Sequence, residues 1–217
     1  GIPAAIAKQV AHYNSKQQYE LSHRLFKKAL IFMGIVGLIS AGIMYIASPA
    51  LARMSGGGVE LIPIMRSLSA AILIFPCMSV IRGFFQGNQD MRPYAVSQLA
   101  EQVIRVFYML LATFIIIKVM HGDYLKAVEQ STFAAFIGAL ASMAALIYFW
   151  KKAEVQFEVQ KEVSLPGELL DTKALIIDTI RQAIPFTIVG AGTTIYKLVD
   201  QMTYVHMMQS FTKFTKD

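Results

Sequence analysis

The chain has 217 residues, 55% of them hydrophobic and 16% charged, with a mean hydropathy of +0.50 and a net charge of +6. Soluble domains carry about 25% charged residues, so lipid rather than water is the expected solvent. The positive balance does not point to nucleic acid, because the cations sit in loops between apolar runs, where anionic headgroups attract them.

Gly1 to Val10 reads as the tail of a helix, and the absence of a basic-then-apolar leader suggests an internal piece of a longer protein. Arg24, Lys27 and Lys28 precede a first complete span over 29–52, which is free of charge and long enough to cross a core of ~30 Å. Its Gly34, Gly37 and Ala41 share a face, as a ridge for a close helix neighbour or as ordinary glycine abundance. Pro49 and Gly56 to Gly58 predict a short turn. The second span, 61–81, holds Arg66 about one turn inside and a kink-prone Pro76. Arg66 is a candidate cavity residue, although snorkelling to the headgroups is the simpler reading.

The central stretch is Arg82 to Val106, RGFFQGNQDMRPYAVSQLAEQVIRV, which leaves one apolar run and carries charge into the next. Arg82, Gly83, Gly87, Arg92 and Pro93 define an expected cytoplasmic connector, either a plain turn or a stiff coupling. Gly83 and Gly87 there suggest backbone angles closed to other residues, and Phe84 and Phe85 suggest burial in the bundle or interface. Pro93 suits a first helical turn, opening the third span over 94–117. Within it Glu101 and Arg105 lie four apart, which predicts a structural ion pair in preference to direct substrate contact.

A polar loop, His121 to Glu129, leads to the charge-free fourth span, 130–150. Tyr148, Trp150, Lys151 and Lys152 then read as an interfacial anchor. Residues 151–181 form an expected cytoplasmic linker, in which Val155, Phe157 and Val159 fit a surface helix or an extended segment. A further span from Gln182 to about Val205 carries Lys197 and Asp200 on one face of its outer half. These two are candidates for a gate or cavity wall, with a merely structural ion pair as the competing reading.

Basic residues concentrate at alternate ends of the spans, so the positive-inside rule places 1–28, 82–93 and 151–181 in the cytoplasm. Cys77 stands alone in an apolar run and the four histidines are dispersed, giving no metal pattern and no disulfide framework. No phosphate loop, GxSxG elbow or Mg²⁺-type carboxylate cluster is present, so neither an enzyme nor a cofactor is expected.

The central stretch, with GIPAAIAKQ at the start and IPFTIVGAGTTIYKLVDQ near the end, resembles the multidrug/oligosaccharidyl-lipid/polysaccharide exporter superfamily. Within it the chain is most similar to the branch of polysaccharide biosynthesis proteins and stage V sporulation protein B, related to the MurJ lipid II flippases. The resemblance implies an all-α, polytopic membrane bundle of a MATE-like, two-lobed bacterial transporter with about fourteen spans. Residues 1–150 would belong to the first lobe, 151–181 to the linker, and 182–217 to the first helix of the second lobe and its following loop. The implied activity is flipping of an undecaprenyl-linked cell-wall, peptidoglycan or polysaccharide precursor by alternating access. Its partners would be the bilayer, a lipid-linked oligosaccharide or other glycan, and a coupling ion. A cation-coupled multidrug antiporter and a lipid-processing membrane enzyme remain the alternatives.

Overall fold

A computed structural model describes residues 2–54, 59–119 and 124–167, with isolated positions from Ile177 to Thr203. Its helices are α1 (Ile2–Ser15), α2 (Tyr19–Met54), α3 (Ile62–Gly87), α4 (Arg92–Phe114) and α5 (Tyr124–Glu162). A single 3₁₀ turn, Val59–Leu61, leads into α3, and a π-helical turn, Ile115–Val119, follows α4. Four helical segments are long and apolar enough to cross a membrane: Tyr19–Arg53, Val59–Gly87, Arg92–Lys118 and Lys126–Glu162. In lipid a helix satisfies its own backbone donors and acceptors, which is why long apolar runs take this form.

The helices overrun several expected boundaries. Pro49 does not end the first span but lies inside α2, because lipid-embedded helices tolerate proline. The second span runs on through Gly87, so Arg82, Gly83 and Gly87 belong to α3 and only 88–91 form the connector. Polar residues do not stop a helix that packs on its neighbours. Helix α5 likewise continues twelve residues past Trp150, to Glu162, and buries Phe157. The periodicity of Val155, Phe157 and Val159 is thus resolved in favour of a helix.

Two turns share one device. After α1, Gln17 takes a left-handed φ of 58°, and after α3, Gln89 takes 62°. In both, backbone N–H groups return to the last helical carbonyls, as Gln18 N–H does to Tyr13 O at 3.0 Å and Asp90 N–H to Phe85 O at 3.1 Å. This is the usual way to satisfy orphan carbonyls at a helix end, here without glycine.

Glycine does a different job in this fold. A Cβ on Gly83 would stand 2.6 Å from Pro3 O, and one on Gly87 would stand 2.5 Å from Val10 Cβ. Both glycines are helical, so they serve the close approach of α1 to α3 and not unusual backbone angles. Gly37 does the same for α2 and α3, where a Cβ would lie 2.8 Å from Leu73 O, in line with the ridge reading.

The best-buried part of the bundle lies where α1, α2, α3 and α5 meet. Phe84 is at its centre, with ring centroids 4.6 Å from Phe26, 5.4 Å from Trp150, 5.4 Å from Phe157 and 5.0 Å from His23. Trp150, partly buried, stacks on Phe26 of α2 at 4.6 Å. Phe84 and Phe85 are both buried, which removes them from the interface. After α5 the chain returns to the α1–α2 turn: Leu165 N–H donates to Gln17 O at 2.9 Å, and Ser164 Oγ accepts from Glu20 N–H at 3.0 Å.

Candidate functional site

Arg82 is the point at which three helices are tied together. Its Nη2 donates to Glu101 Oε2 of α4 at 2.8 Å and to Ser142 Oγ of α5 at 2.8 Å, while its Nε donates to Ser97 Oγ at 3.0 Å. The guanidinium carbon also lies 5.7 Å from the Tyr94 ring centroid. The side chains of Arg82 and Glu101 are only 14% and 12% exposed, so both charges are largely out of water and depend on each other.

The expected pairing of Glu101 with Arg105 is therefore corrected. A partner on a neighbouring helix, held between two buried hydroxyls, satisfies more of the carboxylate and guanidinium than a neighbour four residues along. Arg105 donates instead to Gln102 Oε1. Helix α5 is drawn hard against this part of α4 at Gly138, where a Cβ would stand 2.7 Å from Glu101 O and 3.0 Å from Arg105 Cβ. Further along the same antiparallel seam, Tyr108 Oη donates to Gln130 Oε1 at 2.7 Å, and Thr113 and Ser131 hydroxyls lie 3.1 Å apart.

These polar rungs join helices that are otherwise apolar, and comparison with known proteins places them in context. The sequence from residue 1 to 211 matches the family described as polysaccharide biosynthesis protein. The chain belongs to that family. It is 36% identical over 212 residues to the lipid II flippase MurJ of Bacillus subtilis (strain 168), an alignment that covers 94% of this chain and 39% of the flippase. It is 26% identical over 174 residues to stage V sporulation protein B of the same organism, covering 79% of this chain and 31% of that protein. The chain thus spans well under half the length of these relatives. No solved structure matches it. Family membership and the four apolar helices make it a multi-pass protein of the cytoplasmic membrane.

Of the residues that the sequence singled out in this polysaccharide biosynthesis family member, the fold brings Arg82 and Glu101 together and leaves Arg105 one turn away. Arg66 reaches across to α2, its guanidinium carbon 4.7 Å from the Tyr45 centroid and its Nε 3.4 Å from Ser48 Oγ. Arg92 holds Asp90 in the connector through Nε at 3.0 Å and Nη2 at 3.2 Å, and Pro93 is buried in the first turn of α4. Asp200 is helical and exposed. Lys197, and with it the proposed pairing, lies outside the described residues, as does the turn at Gly56 to Gly58.

Sequence reasoning missed Ser97 and Ser142. Both are fully buried, and both look like ordinary small packing residues until Arg82 is seen between them. An arginine at the end of an apolar run followed by serine and glutamate in the next was the available signal, and it needed α3 and α4 to be antiparallel neighbours.

Proposed function

We propose that this chain is part of a flippase that moves an undecaprenyl-linked cell-wall or polysaccharide precursor across the cytoplasmic membrane by alternating access. The observation that carries the reading is the 36% identity to a lipid II flippase along 94% of the chain. Binding lipid substrate asks for a bundle whose helices move as packed units. The Arg82 junction supports this role, since it fastens α3, α4 and α5 to one another with charge-assisted bonds.

In this reading residues 1–28, 82–93 and 151–181 are cytoplasmic, and the lobe of 1–150 is joined by 151–181 to the first helix of a second. The shared position of three segments supports a common side: Asn14 Nδ2 donates to Asn88 Oδ1 at 2.9 Å, and Leu165 N–H to Gln17 O at 2.9 Å. Lys197 and Asp200 fall in the outer half of the next span, as an outward gate or cavity wall.

The test is transfer of a fluorescent undecaprenyl-linked oligosaccharide across liposomes that contain the full-length parent protein. Transfer above protein-free liposomes is expected. Gradient-dependent export of a cationic drug, without movement of the lipid, would replace this reading with an antiporter.

A further inference from the structure

Arg105 is left without the carboxylate that its own helix offers. Glu101 is taken by Arg82, and among the described residues no ion pair includes Arg105. Its guanidinium bonds to the neutral Gln102. The position is demanding, because Arg105 stands midway along the 27-residue apolar span Arg92–Lys118. The headgroups are ~15 Å away in a core of ~30 Å, which is too far for its three-methylene stem to snorkel. Gly138 lets the α5 backbone close on the Arg105 Cβ, so the root of the side chain is held in place.

The rest of the helix shows where the charge belongs. Gln98, Gln102 and Arg105 follow at i, i+4 and i+7 and share one face, and both glutamines are exposed. Leu99, Val103, Phe107, Leu110 and Phe114, also exposed, cover the opposite side. An amphipathic helix at this depth turns its polar face to a water-filled or ligand-filled space, since an unpaired charge in hydrocarbon is expensive.

We propose that Gln98, Gln102 and Arg105 form an anion-binding strip at mid-depth that takes the diphosphate of a lipid-linked substrate. The proposal rests on the flippase reading above. Arginine presents a planar fork of donors suited to phosphate oxygens. Gln102 Oε1 accepts from Arg105, and its amide NH₂ remains a donor suited to the same anion. Gln98 extends the donor row one turn toward Arg92. The strip is distinct from the Arg82 junction, whose charges neutralise each other.

The experiment measures binding of undecaprenyl diphosphate, with uncharged undecaprenol as the control, to the reconstituted full-length parent. Arg105→Gln is expected to weaken diphosphate binding about tenfold or more, the loss of one charge-assisted bond pair, with undecaprenol binding and abundance unchanged. Arg105→Lys should retain most of it. Unchanged diphosphate binding in Arg105→Gln overturns the strip. So does a loss of abundance with normal binding per folded molecule, which would mean that Arg105 meets a carboxylate elsewhere in the parent. Phenylglyoxal modification of the unmutated protein gives a second measurement, read at the Arg105 peptide by mass spectrometry. Protection by undecaprenyl diphosphate supports the strip, and equal modification with and without it overturns it. If the unmutated parent itself prefers diphosphate no more than undecaprenol, the flippase reading fails first and the strip with it.

Discussion

Arg82 Nη2 lies 2.8 Å from Glu101 Oε2 across nineteen residues of sequence, whereas Arg105, one turn from Glu101 on the same helix, bonds to Gln102. The shorter sequence separation loses because Arg82 brings Ser97 and Ser142 with it, and a buried ion pair is tolerable only when its remaining donors and acceptors are met. A pair of this kind fastens helices rather than adding to the stability of one helix.

Glu101→Gln or Arg82→Gln should therefore lower the stability of the parent protein in detergent by about 3–5 kcal/mol, since each strands a buried charge. Thermal unfolding and abundance in the membrane read this out. The double variant Arg82→Gln with Glu101→Gln should recover a substantial part of the loss. A double variant as unstable as the sum of the two singles would remove the coupling between them.

The glycines of α3 give a second expectation. Gly87→Val drives a side chain into Val10 and Ala7, and Gly83→Val into Pro3 and Ile6, so each should part α1 from α3 and cost about 1–3 kcal/mol or more. Gly42, where a Cβ meets nothing within 4 Å, is the internal control, and Gly42→Ala should leave abundance unchanged. Equal tolerance of all three substitutions in an abundance assay would show that the close approach is unimportant.

Topology can be read with cysteines in a Cys77→Ser background. Met91, between α3 and α4, and Glu162, the last residue of α5, are exposed and on the side assigned to the cytoplasm. Met91→Cys and Glu162→Cys should be shielded from an impermeant thiol reagent in intact cells, while Ser55→Cys and Asp123→Cys should react. The reverse pattern inverts the orientation and, with it, the side from which the strip on α4 is loaded.

Asp90 accepts from the Arg92 N–H at 3.1 Å as well as from its guanidinium. The Arg92 side-chain hydrogen bond holds its carboxyl below the usual range. A depressed folded value means that the stabilisation is present above the unfolded value of about 3.9 and is lost as pH falls through the folded one. Melting temperature followed downward in pH should show this loss, and Asp90→Asn should flatten that part of the curve. An identical curve for the variant would leave the contact without a role in stability.

The sequence alone determined the class of the protein, because hydrophobic runs of twenty residues and more leave a helix across lipid as the only satisfied backbone. It also showed, through GFFQGNQDMRP and the runs on either side, that a connector separates two spans, which the structure shortens from 82–93 to 88–91. Two kinds of detail lay beyond it. Helix ends moved outward in α3 and α5, since packing of Phe84 and Phe157 on α2, and of Phe84 and Phe85 on Phe157, stabilises turns that composition assigns to loops. The partner of Glu101 was likewise a tertiary decision: the sequence pointed to Arg105, four residues along, and put Arg82 in the connector, and only the packing of α3, α4 and α5, closed at Gly138, brings Arg82 and two buried hydroxyls to the carboxylate. Local spacing measures distance along one helix, whereas a buried charge takes whichever neighbour satisfies it in three dimensions.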